Sequence, residues 1–261
     1  MVIVREPVIY VIGRQTTDES AVQQFLTDHG TAWETDTELG GELLSEMGGR
    51  LCYMSFGKKQ GRRSNHEYIS NILEQRHGSV LEHAVWNLLI VGVSRALTHE
   101  LIRHRAGFGF SQLSQRYVDE TDTDFVEPDI IAEDEQLHAL WAEAIAAAQK
   151  TYVALADRLV AKLEQTYPEL GRTAKRKAAR QAARSILPNA TETKIFVTAN
   201  ARALRHFIEL RGSEHAEPEI RKLAVAMLRI MQGEAPNIFS DFTLEPLPDG
   251  SLATRTPYSK V

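Results

Sequence analysis

The sequence predicts an α+β fold in a single compact domain, and three features support this prediction. β-Branched residues are frequent from Val2 to Ile12 and from Val85 to Val93, which predicts two strands, the second mostly buried. Apolar residues recur at helical spacing from Asp134 to Tyr167, which predicts one long amphipathic helix. The 261 residues contain no internal repeat, low-complexity tract or clear linker. We therefore expect one domain over residues 1–261, with a loose polar tail from about residue 249.

The other predicted elements follow from capping signals. Asn65, Ser94 and Asn200 are expected as helix N-caps, because their side-chain oxygens accept hydrogen bonds from N–H groups of the first turn. The predicted shorter helices are Glu42 to Gly48, Asn65 to Gln75, Ser94 to about His104, Arg172 to Ile186, Asn200 to Gly212 and Pro218 to Met231. A short strand is predicted from Lys194 to Thr198.

Composition excludes several classes of protein. The net charge of −5 counts against a nucleic-acid or membrane-surface binder, which carries a basic surplus. The single cysteine, Cys52, excludes an internal disulfide and a cysteine metal cluster, and it suits a reducing compartment. The apolar run from Ala84 to Val93 is too short to span a bilayer, and nothing near Val8 to Ile12 indicates export. We therefore expect a cytoplasmic protein with neither nucleic acid nor membrane as a partner.

The densest group of polar side chains runs from Arg103 to Tyr117. It contains three arginines, one histidine, two serines, two glutamines and one tyrosine, without a carboxylate. Guanidinium groups bind oxyanions in a bidentate manner, and amides and hydroxyls bind ring edges, so the segment predicts a site for a phosphate and a polar ring. Gly107 and Gly109 favour this interpretation, because a residue without a side chain lets the backbone approach a ligand. The alternative is a solvated basic loop anchored by Phe108 and Phe110.

Two predicted helices carry further basic groups. Lys177 and Arg184 fall on one face of a basic helix, where a solvated face is the alternative to an anion site. Arg202 and His206 share a face of the next helix, which Arg211 ends. The alternative for Arg211 is that it only complements the helix dipole.

Other motifs are weak or missing. His77, Glu82 and His83 do not share a helical face, so no metal site is predicted, and a polar turn that contacts a ligand is favoured. The sequence contains no GxGxxG, P-loop or GxSxG motif. The phosphates of any bound dinucleotide must therefore be held by arginine clusters.

The motif Arg103-His104-Arg105, followed by eight residues and then Ser114-x-Arg116-Tyr117, resembles the signature of flavin-dependent thymidylate synthases. Other segments are similar to that family in the same order and spacing, over about 200 residues from roughly 45 to 240. These segments are His77 to His83, Arg184 to Pro188, Asn200 to Arg202 and Leu210 to Ala216. Several matches in one order make chance agreement very improbable.

The resemblance implies a reaction and an architecture. The reaction is the reductive methylation of dUMP to dTMP, with methylenetetrahydrofolate as carbon donor and FAD reduced by NADPH as hydride donor. The implied architecture is an antiparallel sheet flanked by long helices, in a homotetramer whose active sites lie between subunits. The alternatives are a non-catalytic nucleotide- or RNA-binding protein and a flavoprotein acting on another pyrimidine nucleotide. The acidic net charge and the missing aromatic platform count against RNA.

The resemblance also implies roles for individual residues. Arg211 is the implied catalytic residue, because a guanidinium at the uracil ring stabilises negative charge on N3 and O4. The implied dUMP-binding residues are Glu100, Arg103, Gln112, Ser114, Gln115, Arg116, Arg184 and Arg211. The implied FAD-binding residues are Ser79, Arg103, His104, Arg105, Gln112, Asn200, Arg202 and His206. Tyr53 and Lys177 match positions near the site. Three features depart from the common pattern: the longer Ala106–Phe110 loop, Gln112 in place of glutamate and His206 in place of asparagine.

Overall fold

The computed structural model describes residues 2–261, and it confirms the α+β class. The strands are β1 (Ile3–Val4), β2 (Val8–Arg14), β3 (Val85–Ser94), β4 (Phe108–Gln112), β5 (Phe125–Val126), β6 (Glu192–Asn200), β7 (Thr243–Pro246) and β8 (Leu252–Arg255). The helices are α1 (Glu19–Asp28), α2 (Gly40–Tyr53), α3 (Asn65–Glu74), α4 (Arg95–Leu101), α5 (Asp129–Ala132), α6 (Glu135–Thr166), α7 (Arg172–Ala183), α8 (Ala201–Arg211) and α9 (Pro218–Glu234).

The main sheet is antiparallel and has four strands in the order β2-β3-β6-β4. Burial alternates along β3, as the period of two in a strand requires, and its buried positions include Trp86, Leu88 and Ile90. The predicted strands at β3 and β6 are confirmed. The single strand predicted for Val2 to Ile12 is instead two strands, because Pro7 lies between them and has no N–H to donate to a ladder.

The chain divides into two compact units. The first unit comprises the chain up to Val8, Ile90–Leu101 and Ser111–Ile195. The second unit comprises Ile9–Leu89, Ile102–Phe110 and Phe196–Val261. The expectation of one domain over residues 1–261 stays a prediction.

The first unit is built on the long helix α6, which packs against α7. The predicted long helix is confirmed, and Asp134 caps it, since its Oδ1 accepts hydrogen bonds from the N–H groups of Gln136 and Leu137 at 2.8 and 3.0 Å. Ser94 likewise caps α4, accepting from the N–H of Leu97 at 3.0 Å. The helix α4 ends at Leu101, three residues earlier than expected, and α7 passes into a 3₁₀ turn at Arg184–Ile186.

The second unit contains α8 and α9, which contact each other, and the β7–β8 hairpin. Asn200 caps α8 as predicted, accepting from the N–H of Ala203 at 2.9 Å. The N-cap of α3 is Ser64, which accepts from the N–H of Glu67 at 3.2 Å, and Asn65 is the first helical residue. The Asn65 side chain instead donates to Glu46 Oε2 at 2.8 Å within a buried polar network, which explains why it does not cap.

The polar tail predicted to be loose from about residue 249 is ordered, so this expectation was wrong. Four residue pairs join β7 to β8, from Thr243–Arg255 to Pro246–Leu252. Beyond the hairpin, Val261 is buried, and its carbonyl oxygen accepts a hydrogen bond from Arg205 Nε at 3.2 Å. Polar groups of the tail bind α8: the Thr254 hydroxyl donates to the Ile208 carbonyl oxygen and the Lys260 N–H donates to Glu209 Oε2.

None of the helices within residues 2–261 combines the length and the apolar character needed to cross a membrane.

Candidate active site

The residues implied by the resemblance divide between the two units. The first unit contains most of the implied dUMP-binding residues: Glu100, Gln112, Ser114, Gln115, Arg116 and Arg184. The second unit contains most of the implied FAD-binding residues, together with Arg211: Ser79, Arg103, His104, Arg105, Asn200, Arg202 and His206. Each group is described within its own unit.

In the first unit, a tight turn follows β4. The carbonyl oxygen of Ser114 accepts hydrogen bonds from the N–H groups of Tyr117 and Val118 at 3.1 and 3.0 Å. The turn buries Gln115, which is 5% exposed, and leaves Arg116 half-buried. Just before the turn, the Gln112 amide donates to the hydroxyl of Thr98 at 3.1 Å, which fixes its orientation.

Helix α7 holds the residues that follow this turn. Arg180 donates to the carbonyl oxygen of Tyr117 at 2.7 Å and to Asp119 Oδ2 at 2.5 Å. Lys177 Nζ lies 4.6 Å from the centre of the Tyr117 ring. A hydrogen bond with Lys177, and the charge of its ammonium group, lower the pKa of the Tyr117 hydroxyl. Lys177, whose role was open, thus contacts the last residue of the sequence motif.

Three buried donor atoms of the first unit have no hydrogen-bond partner among residues 2–261: Arg95 Nη1, Gln115 Nε2 and Arg116 Nε. Buried donors are normally satisfied, so each of these three atoms is available to a further acceptor; Glu120 Oε1 in the same unit is a buried acceptor that also has no partner among the described residues. Two of these atoms belong to cations, and the third belongs to an amide. This chemistry suits an oxyanion such as a phosphate.

Arg95 was missed in the sequence. It is the first residue of α4, directly after the Ser94 cap, and this position alone gives no functional signal. The pKa of Arg95 is lowered, chiefly because the side chain is partly removed from water. The negative charge of Glu120 opposes this shift, and the positive charge of Arg184 adds to it. A half-buried arginine near a second arginine, with a buried and unsatisfied Nη1, is an electrostatic pattern that suits an anion site.

In the second unit, an exposed group of donors lies on α8 and on the 3₁₀ turn Gly78–His83, which contact each other. Arg202 is 45% exposed, and its Nη1 donates to Glu82 Oε1 at 2.6 Å. Ser79 and His206 are also exposed, and His206 lies one turn of α8 beyond Arg202. The predicted polar turn and the predicted face of α8 therefore lie next to each other.

Gly107 brings the motif loop onto the start of α8. Its φ is +73°, and a Cβ at this position would lie 2.7 Å from Asn200 Nδ2 and 2.8 Å from the Ala203 Cβ. Its carbonyl oxygen accepts from the N–H of Asn200 at 3.1 Å. Glycine is required here for contact with α8. A Cβ on Gly109 would meet only the Thr198 Cβ, at 3.7 Å, so Gly109 is not required on steric grounds.

His104 and Arg211 are in direct contact, although 107 residues separate them in sequence. Arg211 Nε donates to His104 Nε2 at 3.0 Å, so this imidazole is neutral and carries its proton on Nδ1. His104 is 9% exposed and packs edge-on against the Phe207 ring at 5.3 Å. Burial, the charge of Arg211 and His206 lower the pKa of His104 to about 4. His104, the second residue of the sequence motif, thus fixes the position of the Arg211 guanidinium through this hydrogen bond.

His77, Glu82 and His83 do not form a metal site in this structure. Within residues 2–261 there is no group of three or more histidine, cysteine, aspartate or glutamate side chains placed to hold a metal ion.

Comparison with known proteins identifies the family. The profile of the family described as "Thymidylate synthase complementing protein" matches residues 36–237. The chain is 50% identical over 236 residues to the flavin-dependent thymidylate synthase of Mycobacterium sp. (strain JLS), covering 90% of this chain and 92% of that protein. It belongs to the flavin-dependent thymidylate synthase family.

Other flavin-dependent thymidylate synthases are similar over the same length. The protein of Mycolicibacterium gilvum is 48% identical over 238 residues, covering 91% of this chain and 93% of that protein. The protein of Corynebacterium efficiens is 44% identical over 239 residues, covering 91% and 94%. All the implied site residues, and also Arg95, fall inside the matched range of residues 36–237.

A solved structure shares the fold. The UMP/dUMP methylase PolB from Streptomyces cacaoi, solved with 5-Br dUMP, superposes with a TM-score of 0.63 over 92% of this chain and 96% of that one. The sequence identity is 19%, so this likeness concerns the fold alone.

Proposed function

We propose that this chain catalyses the reductive methylation of dUMP to dTMP. The observation that carries the proposal is the set of buried, unsatisfied donors in the first unit, which suits an anionic acceptor. Membership of the flavin-dependent thymidylate synthase family supplies the class of reaction.

The dUMP phosphate is bound by the first unit in this proposal. Arg95, Arg116 and Gln115 offer it the three unsatisfied donors, and Arg184 adds a further positive charge close to Arg95. Gln112, whose amide donates to the hydroxyl of Thr98, is a further implied dUMP-binding residue of this unit. Phosphate oxygens would then accept charge-assisted hydrogen bonds from these donors.

Arg211 acts on the uracil ring in this proposal. Negative charge develops on N3 and O4 as C5 attacks the methylene carbon, and a guanidinium in contact with those atoms stabilises it. The bond from Arg211 Nε to His104 orients the side chain. Because the pKa of His104 is about 4, the imidazole stays neutral near pH 7 and adds no competing charge.

FAD is the proposed cofactor, and the donor chemistry of the second unit fits it. Ser79, Arg202 and His206 offer an exposed hydroxyl, guanidinium and imidazole on adjacent elements, which suits a pyrophosphate and a polar ring. Asn200 and Arg105 flank the Gly107 contact in the same unit. Bound FAD supplies hydride chemistry, with NADPH as the proposed reductant and methylenetetrahydrofolate as the proposed carbon donor.

A homotetramer with active sites between subunits is also proposed. Helix α6 buries only Ile145 and Tyr152 within the chain, while Leu137 and Leu140 on the same helix are 46% and 67% exposed. A helix of 32 residues with exposed leucines is typical of a subunit interface. The cytoplasmic location stays a prediction.

Substitution of the proposed catalytic residue tests the function. Arg211→Ala is expected to fold, to retain part of its flavin absorbance and to lose dTMP formation, because the charge on the uracil ring is no longer stabilised. Arg116→Ala serves as the comparison and should mainly weaken dUMP binding. An Arg211→Ala variant that still methylates dUMP would contradict the assignment.

A further inference from the structure

The C-terminal hairpin caps helix α8 at the residue after Arg211. Thr254 on β8 is 3% exposed, and its backbone N–H donates to the carbonyl oxygen of Gly212 at 2.8 Å. Its hydroxyl donates to the carbonyl oxygen of Ile208 at 2.7 Å, which also accepts from the N–H of Gly212 at 2.9 Å. One threonine therefore supplies the donor for the Gly212 carbonyl, which has no intrahelical donor, and a second hydrogen bond to the Ile208 carbonyl at the end of α8.

The position of Gly212 shows how closely the two segments approach. A Cβ on Gly212 would overlap both the hydroxyl of Thr254 and the carbonyl oxygen of Ile208. The φ of Gly212 is −83°, which any residue adopts, so the glycine is needed for this contact and not for its backbone conformation.

Further contacts attach the C-terminal segment to the same part of the second unit. Arg205, 1% exposed on α8, forms a bidentate ion pair with Asp241 at 2.6 and 2.9 Å, just before the hairpin. Arg255, next to Thr254, pairs with Glu214 at 3.2 Å in the loop after Arg211. The hairpin lies beyond residue 237, where the match to the family profile ends.

We propose that Thr254 is a positioning residue for Arg211: by capping the last turn of α8, it holds the Arg211 side chain against His104. The last turn of a helix frays readily when its carbonyl groups lack donors. Fraying at Gly212 would move the adjacent Arg211 away from His104 Nε2. The consequence for catalysis rests on the proposed function, whereas the contact between Arg211 and His104 does not.

Histidine titration tests the proposal without using activity. The imidazole signals of the protein labelled with ¹³C-histidine are recorded from pH 5 to 7.5, and His104 is assigned by comparison with His104→Gln. In the wild type, His104 should not titrate over this range, because its pKa is about 4. Thr254→Val keeps the shape of the side chain but removes the hydroxyl, so Arg211 should move. The pKa of His104 should then rise, and more of the imidazole should be protonated at pH 5 than in the wild type, while burial continues to lower the pKa.

Two variants serve as controls. Thr254→Ser retains the hydroxyl and should restore the wild-type titration. Thr243→Val makes the same chemical change at an exposed position of the same hairpin, on β7, and should have no effect. Thermal unfolding curves, recorded alongside, verify that each variant is folded at the titration temperature.

Each outcome decides the matter. A shift of His104 in Thr254→Val, with rescue by serine and no shift in Thr243→Val, supports the positioning role. A folded Thr254→Val variant in which His104 is protonated at pH 5 no more than in the wild type overturns it. Failure of the protein to methylate dUMP would refute the proposed function and leave this result unaffected, so the two failures are distinguishable. If both hold, Thr254→Val should lower kcat for dTMP formation more than it changes KM for dUMP, because Arg211 acts on the transition state.

Discussion

At the scale of single residues, His104 links the sequence motif to the proposed catalytic arginine. Its Nε2 accepts from Arg211, and its ring packs against Phe207 from the same helix. A buried neutral histidine in this position orients Arg211 without adding positive charge. The second histidine of this group, His206, is exposed and lies with its ring centre 6.0 Å from that of His104.

The lowered pKa of His104 predicts a specific loss of stability in acid. The unfolded chain binds a proton at this residue below about pH 6.5, whereas the folded chain does so only near pH 4. Stability is therefore complete above pH 6.5 and falls by at most about 3 kcal/mol as the pH drops from 6.5 to 4. In His104→Gln this part of the pH dependence should disappear, as measured by urea unfolding at pH 4.5 and 7.

His215→Gln provides the control, because its side chain is 87% exposed and it should keep the wild-type pH dependence. The explanation fails if His104→Gln loses stability in acid as steeply as the wild type.

Arg95 predicts a phosphate-specific effect on binding. Arg95→Gln removes a charged donor proposed to bind the phosphate, and a charge-assisted hydrogen bond contributes about 1.5–3 kcal/mol. The affinity for dUMP should therefore fall about 10- to 100-fold, while the affinity for deoxyuridine, which has no phosphate, should be unchanged. Calorimetric titration of both ligands measures the difference.

The exposed Arg158→Gln on α6 controls for the loss of one positive charge in the same unit, and it should bind dUMP normally. An equal loss of affinity for dUMP and deoxyuridine in Arg95→Gln would show that Arg95 does not bind the phosphate.

Helix caps could be predicted from the sequence because they depend on neighbouring residues, whereas contacts between distant segments could not. Asn200 and Ser94 were predicted as caps because a cap interacts with residues three positions away. The pair of His104 and Arg211 depends on folding that joins positions 107 residues apart. The buried, unsatisfied Nη1 of Arg95 likewise depends on tertiary burial, which one arginine in a sequence does not reveal.

At the scale of elements, the contact between the motif loop and α8 depends on Gly107. Gly107→Ala would place a Cβ against Asn200 and Ala203 at a backbone φ of +73°, so it should destabilise the protein by about 1–3 kcal/mol. It should also weaken FAD binding, because Asn200 caps the helix that carries Arg202. Thermal unfolding and flavin titration measure the two effects.

Gly109→Ala is the matched control, since its Cβ would have an ordinary contact with Thr198 at 3.7 Å. It should change the unfolding free energy by less than about 0.5 kcal/mol. Equal destabilisation by both substitutions would refute the steric explanation.

The elements that sequence patterns missed are short or polar. The strand β4 was interpreted as part of a loop because it is five residues long and contains glycine, although Phe108 and Phe110 alternate as a strand requires. The β7–β8 hairpin was missed because its polar residues resemble a solvated tail. Thr254 of the hairpin forms hydrogen bonds with Ile208 and Gly212 at the end of α8. The hairpin is therefore ordered by contacts with a distant segment, which its own composition does not reveal.

At the scale of the whole molecule, a net charge of −5 coexists with concentrated positive charge in the proposed site. The expectation that any anion site must be a local cluster of arginines stays a prediction. The division into two units separates most of the implied dUMP-binding residues from most of the implied FAD-binding residues. The α+β class was predictable from long periodic segments, whereas this division was not, because each unit draws on three separate segments of the chain.

The most direct test of the central claim is dTMP formation by the purified protein. The protein is loaded with FAD and incubated with NADPH, methylenetetrahydrofolate and dUMP, and the nucleotides are separated by chromatography. The account predicts that NADPH bleaches the flavin absorbance and that dTMP forms over many turnovers only when all four components are present. A protein that binds FAD and accepts electrons from NADPH but forms no dTMP from dUMP would contradict it.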